Sequence, residues 1–250
     1  MKIRLDKILS SNGYGSRRDV KSILRRGTFT INGTVCCDAS AMADPENDVF
    51  ALDGEKIRIL TTVYLMLNKP SGVITSTDDP NHRTVMDLLG SPWSGMELFP
   101  VGRLDLDTEG LLVITNDGPL THRLTSPKTG VDKTYYARLR DPVDEELLAD
   151  YQKRFLEGIT FHDGYKCLRA KLDRAGNETD GMFLTIQEGK YHQVKKMFIS
   201  IGNEVSYLKR VSMGNLLLDP LLAPGSYREL TTEEIMTLRA RESGNNSEYN

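Results

Sequence analysis

The chain has 250 residues, 39% of them hydrophobic and 27% charged, with a net charge of −3 and three cysteines; that length suits one large domain carrying a smaller appended module. No run approaches the roughly 18 apolar residues of a membrane-spanning helix, and the start MKIRLDKILSSNG lacks the apolar core of a secretory signal, so a soluble, cytoplasmic protein with no membrane partner is expected. Cys36 and Cys37 are adjacent and Cys167 is remote, which excludes a disulfide framework and the paired spacing of a zinc site.

The first elements are strongly signalled. Leu5, Ile8 and Leu9 mark one face of a helix that Asn12-Gly13 ends. Ser16 with Asp19 is a short-armed capping box opening a second helix, and Gly27 is its stop. On that helix Arg17, Arg18, Lys21 and Arg25 fall within an arc of roughly 100°, opposite Val20, Ile23 and Leu24. The segment FTINGTVC then alternates around Asn32-Gly33, a hairpin signal. Charge is polarised across this region. Residues 1–26 hold eight basic side chains, among them Arg4 and Lys7, against Asp6 and Asp19, whereas residues 27–60 hold six carboxylates against Lys56 and Arg58. The overall negative charge would argue against a nucleic-acid partner; the local basic face has two readings, a solvated helix surface or a phosphate-binding one.

From residue 61 strands dominate: VYLMLNKP, LLVITND, KTYYARLR, the region of KCLRAKL, MFLTIQ and VSYLKRV. Helical stretches appear singly between them, at TVMDLL, VDEELLADYQKRFL and YHQVKKMFISIG, and Thr231 with Glu234 caps a last helix. Helices that do not alternate strictly with strands favour an α+β fold on a mostly antiparallel sheet. The tail from 241 to 250 is polar and expected to be disordered.

The segment GRLDLDTEGLL at 102–112 concentrates three carboxylates, Asp105, Asp107 and Glu109. Closely spaced oxygens can bind a divalent metal or simply cap a turn; no histidine or second acidic cluster completes a metal site, so none is expected. Gly102 and Gly110 alone do not make a phosphate-cradling loop, and no cofactor is expected.

GRLDLDTEGLL, together with MLNKPSGVITSTDDPNHRTV at 66–85, DGPLTHRLTSP at 117–127, KTYYARL at 133–139 and EGKYHQVKKMFISIGNEV at 188–205, resembles the pseudouridine synthases, in particular the branch acting on small-subunit ribosomal RNA. The run RLDKILSSNGYGSRRDVKSILRRGTFTINGTV resembles the small helix-helix-hairpin RNA-binding domain known as the alpha-L motif. These resemblances imply an RNA-binding domain over 1–60, with Arg4, Lys7, Arg17, Arg18, Lys21 and Arg25 as RNA contacts, and a catalytic domain over 61–240. They also imply a monomer that isomerises a uridine of 16S ribosomal RNA, uridine 516, bare or within a small-subunit assembly intermediate. Large-subunit RNA and a non-catalytic assembly role are the alternatives.

In the resemblance Asp105 takes the place of the catalytic aspartate and Arg103 that of the residue filling the gap left by the extruded base. Tyr135 takes the place of the active-site tyrosine, and Lys195 that of the basic residue pairing with the aspartate, where the family often carries arginine. For Tyr135 the plainer reading is core packing. For Lys195 it is phosphate contact alongside Lys190, Lys196, Lys209 and Arg210. His192 and Gln193 are assigned local structure and no chemistry.

Overall fold

The structure is a computed structural model that describes residues 2–240; the expected disordered tail lies outside the described residues. The chain forms two compact units that alternate along it. One comprises the chain up to Val63 together with Met86–Phe99, the other Tyr64–Val85 together with the chain from Pro100 onward. A single boundary near residue 60 therefore divides the sequence more simply than the contacts do.

The amino-terminal unit opens with β1 (Ile3–Arg4), α1 (Leu5–Ser11) and α2 (Arg17–Arg25), followed by β2 (Phe29–Ile31), β3 (Thr34–Val35), β4 (Met42–Ala43), β5 (Phe50–Leu52) and β6 (Glu55–Ile57). β1 pairs with β4, and the other four strands form a sheet in the order β3-β2-β5-β6. Both arms of the Ser16–Asp19 capping box are made, satisfying backbone donors that α2 would otherwise leave bare. Asn32 and Gly33 turn the β2–β3 hairpin with φ of 51° and 80°, the paired positive angles that Asn-Gly accommodates. Leu5, Ile8, Leu9, Val20, Leu24, Phe29 and Phe50 fill the core. Lys7, Arg17, Arg18, Lys21 and Arg25 are left exposed. Arg4 is exposed as well and also makes an ion pair of 2.7 Å with the buried Asp6 carboxylate.

The larger unit runs β7 (Tyr64–Lys69), β8 (Phe99–Pro100), β9 (Glu109–Thr115), α3 (Gly118–Thr125), β10 (Lys133–Leu139), α4 (Glu145–Glu157), β11 (Lys171–Arg174), β12 (Gly181–Ile186), α5 (Gln193–Ser200), β13 (Val205–Met213), β14 (Leu216–Leu217), β15 (Tyr227–Glu229) and α6 (Thr232–Arg239). Its sheet is ordered β11-β12-β10-β13-β9-β7-β15, with β14 on β13 and β8 on β9. The expected α+β class with a mostly antiparallel sheet is what forms. The pairing of β9 with β13 is parallel.

Local signals failed where tertiary contacts overrode them. TVMDLL yields only a single 3-10 turn at Met86–Leu88, because Thr84 is held in an isolated bridge with Ile74. In KCLRAKL the strand starts only at Lys171; upstream, Cys167 and Ala170 donate instead to Ile159 and Phe155. The sequence reading assigns no helix over 118–125, where α3 forms; the Asp117 side chain caps it by accepting from the Leu120 N–H.

The centre of the sheet depends on Gly110. Its φ is +102°, and a Cβ there would stand 2.2 Å from the Arg210 carbonyl oxygen on β13. Only a residue without a side chain lets the parallel strands close. Gly110→Ala is predicted to destabilise the chain by about 2–4 kcal/mol in urea unfolding, through backbone strain added to a separated strand pair.

Candidate active site

Antiparallel pairing of β7 with β9 sets Lys69 opposite Gly110, and so brings the NKPSG turn under the RLDLDTEG loop. Lys69 is fully buried. Its ammonium lies 3.0 Å from the Pro70 carbonyl oxygen, 3.0 Å from that of Asp105, 3.3 Å from that of Leu106 and 2.9 Å from that of Thr108. Three donor hydrogens are thus shared among four carbonyls that point inward from one turn and its neighbour. Burial pulls the Lys69 pKa down to about 8, against the opposing pull of Asp107, Asp105 and Glu109. The group keeps its proton at neutral pH.

Further bonds fix the same loop. The Thr75 hydroxyl donates to the Leu104 carbonyl at 2.8 Å and accepts from the Leu104 N–H at 3.1 Å. The Gly72 N–H donates to the Leu106 carbonyl, and the Thr108 N–H closes back on the Asp105 carbonyl. With its backbone held from below, the loop turns the half-buried Asp105 side chain outward, where 28% of it is accessible.

The cation beside it comes from α5, which a buried carboxylate anchors. Glu188 accepts from the Leu168 N–H, the Tyr165 hydroxyl and the Gln193 amide, while Gln193 accepts from the Lys190 N–H. Gln193 therefore has the local structural role expected of it. From the first turns of α5, Lys195 places its ammonium 3.8 Å from Asp105 Oδ2 and 2.5 Å from Asp107 Oδ1. The pairing of Lys195 with Asp105 is present, but the closer partner is Asp107. Partial burial raises the Asp107 pKa, the Lys195 hydrogen bond and charge outweigh that, and the net shift is downward. Glu109 faces elsewhere and accepts from the Tyr207 hydroxyl at 2.8 Å; burial first, and this hydrogen bond second, push that phenol up to about 12. Among the described residues no cluster of three His, Cys, Asp or Glu side chains is arranged to hold a metal ion.

Tyr135 is buried on β10, opposite Arg210 of β13, which in turn lies opposite Gly110 of β9. Tyr135 is thus set two strands from the start of β9, which leads out of the loop carrying Asp105. Arg103 lies exposed in the same loop. Arg210, grouped from sequence with possible phosphate contacts, is buried instead: its Nε donates to the Leu111 carbonyl at 2.8 Å and its Nη2 has no partner. His192, given no chemistry from sequence, brings Nε2 within 3.8 Å of Asp105 Oδ1. The signal that could have found it is its position three residues before Lys195, one helical turn along the chain.

Replacing Lys69 with methionine keeps the volume of the stem but takes the ammonium away from four carbonyls, of which those of Asp105 and Leu106 keep only their backbone donors. Lys69→Met is predicted to cost about 1–3 kcal/mol in urea unfolding and to accelerate hydrogen exchange of the Thr108 amide, which depends on the Asp105 carbonyl staying in place.

The family model of the RNA pseudouridylate synthases matches residues 63–200. An uncharacterized RNA pseudouridine synthase of Bacillus subtilis (strain 168) is 46% identical over 94% of this chain and 98% of its own. The ribosomal small subunit pseudouridine synthase A of Escherichia coli (strain K12) is 39% identical over 94% of this chain and 100% of its own, and that of Yersinia pestis 41% over 95% and 99%. A crystal structure of a pseudouridylate synthase superimposes with a TM-score of 0.65 at 38% identity, covering 94% of this chain and 99% of that one. With near-complete coverage by several relatives and the match to the family model, this chain belongs to the RNA pseudouridylate synthase family.

Proposed function

We propose that the protein converts a uridine of small-subunit (16S) ribosomal RNA, uridine 516, to pseudouridine, with Asp105 as the catalytic carboxylate. The observation that carries this reading is the Asp105 side chain, open to one side and faced by the Lys195 ammonium at 3.8 Å, on a loop whose backbone is fixed from beneath. The substrate assignment draws support from the relatives of Escherichia coli and Yersinia pestis, which are named for the ribosomal small subunit.

The reaction breaks the bond between N1 and C1′ of uridine, turns the freed uracil and joins C5 to C1′. The C5 hydrogen leaves as a proton and N1 gains one, so no atom is gained or lost and no redox or group carrier has anything to transfer. An ionised carboxylate can open the glycosidic bond by attacking C1′ or by removing the 2′ proton. Either role needs an ionised Asp105, and the Lys195 ammonium stands 3.8 Å from its Oδ2. Extruding a stacked uridine costs a few kcal/mol; Arg103 offsets part of that by stacking in the vacated space, while Tyr135 lies against the extruded uracil with its hydroxyl near C5. Residues 1–60 act as an alpha-L type RNA-binding module, with Lys7, Arg17, Arg18, Lys21 and Arg25 on phosphates and Arg4 bracing Asp6 at the edge of that face.

Deleting the gene and mapping pseudouridines across ribosomal RNA by carbodiimide-dependent reverse-transcription stops is expected to remove one stop in 16S RNA. Loss of a stop only in large-subunit RNA would reassign the target. Asp105→Asn is expected to bind the same RNA with little change and form no detectable pseudouridine; normal product from that variant would overturn the catalytic assignment. Changing Arg17 and Lys21 to glutamine should weaken binding and lower the slope of log affinity against log salt by about 1 for each phosphate contact removed. A slope equal to that of the unaltered chain would take these residues out of the interface.

A further inference from the structure

His192 is one of three described residues other than glycine with a positive φ. The other two, Asn32 and Asp53, each precede a glycine in a hairpin turn, where that conformation is ordinary. His192 instead opens α5 at φ 53° and ψ 33°, with no side-chain cap. Histidine is among the few side chains enriched in the left-handed region, and here that conformation aims its ring away from the helix that follows. The result is a stack of neighbouring rings: the centroids of Tyr191 and His192 are 3.8 Å apart, with planes inclined by 19°. The inner ring reaches the Asp105 carboxylate at 3.8 Å. The outer ring, Tyr191, is 73% exposed.

A cation borders this stack: Lys196 Nζ lies 5.2 Å from the Tyr191 ring centre and 5.7 Å from that of Phe161. The preceding residue in sequence, Lys190, lies instead over the Tyr165 ring, with Nζ 4.8 Å from its centre. The lysine stem is long and flexible, so the Lys196 ammonium can swing to a phosphate while the exposed Tyr191 ring accepts a base. Exposed aromatic faces interleaved with lysines are what single-stranded nucleic acid binds, since every base has a π-face and every linkage a charge. A structural explanation for Tyr191 would need its ring to be covered, and it is not.

We propose that Tyr191, backed by His192 and bordered by Lys196, is a stacking platform for the base of an unpaired nucleotide adjoining the target uridine. This rests on the reading of the protein as a uridine-isomerising enzyme with Asp105 at its centre. Because the platform shares a ring with the Asp105 contact, a base stacked on Tyr191 fixes the RNA strand one nucleotide's reach from the carboxylate. The platform therefore selects substrates in which a neighbour of the target is also unpaired. No base edge is read, so its selectivity is for strand state rather than for sequence.

The test is a cycle between protein and RNA, carried out on the full chain with Asp105→Asn so that bound RNA does not turn over. The RNA is a 16S segment spanning the mapped target, with single abasic substitutions at each nucleotide flanking it. Tyr191→Ala should weaken binding of the intact segment on the order of tenfold. One abasic position should cause a similar loss with Tyr191 present and none beyond it with Tyr191→Ala; Tyr191→Phe should restore both the affinity and the coupling. Losses that add at every position, or a Tyr191→Ala chain with unchanged affinity, would overturn the platform. So would loss of coupling in Tyr191→Phe, which keeps the ring. Product formation from intact RNA by the chain with Asp105 present tests the enzymatic reading separately, because the coupling is measured by binding alone.

Discussion

The burial of one ammonium group under a loop organises everything around it. Lys69 ends β7 with its stem enclosed, and its charge is spread over carbonyl oxygens of Pro70, Asp105, Leu106 and Thr108. A buried cation without acceptors would be costly, and inward-pointing carbonyls without a donor nearly as costly. Each requirement meets the other here. The consequence is directional: carbonyls drawn down to a common point leave the side chains of Asp105 and Asp107 on the opposite side of the loop. Two segments separated by about one sheet hairpin and a long excursion thus become one surface, because the β7–β9 pairing makes the meeting possible and Lys69 makes it specific.

Above the loop a second set of charges is partitioned. Three carboxylates within five residues would repel one another if all faced the same space. Glu109 is taken by the Tyr207 hydroxyl, and Asp105 and Asp107 share the Lys195 ammonium unequally. The shorter contact to Asp107 fixes where Lys195 stands, and the longer one leaves Asp105 oxygens accessible. Glu188, buried and fully engaged, supplies the rigid base from which α5 presents that lysine. The site therefore depends on two buried charged groups that never reach it, Lys69 from one side and Glu188 from the other.

Much of this fold is legible because local chemistry and tertiary packing agree. Ser16–Asp19, Asn32-Gly33 and Thr231–Glu234 each specify a cap or turn that forms. The nomination of Asp105 and Lys195 came from motif resemblance, which carries pairing across 90 residues that periodicity cannot see. What was not legible is burial of charge. Lys69 ends a segment that reads as a strand, but nothing local says that its ammonium turns inward, and Arg210 beside Lys209 reads as a basic patch; the strand pairing around Gly110 places both. His192 escaped for a related reason. Its spacing to Lys195 is visible in the sequence, but its ring direction is set by a left-handed backbone at the helix start, which periodicity does not show.

A lysine at position 195, where the family often has arginine, fits this geometry on its own terms. A guanidinium fork would grip a carboxylate by both oxygens and fix its plane, whereas an ammonium is a point charge that holds distance and little else. Positioning of Asp105 must then come from its backbone, and the loop over Lys69 provides it. The second oxygen of Asp105 faces His192, and the second partner of Lys195 is Asp107. Orientation that a single arginine would impose is in this chain divided among a buried lysine below, a histidine beside and a neighbouring aspartate that anchors the cation. Such a division makes the carboxylate's setting sensitive to groups on three separate segments, so changes in any one of them act on the site without touching Asp105 itself.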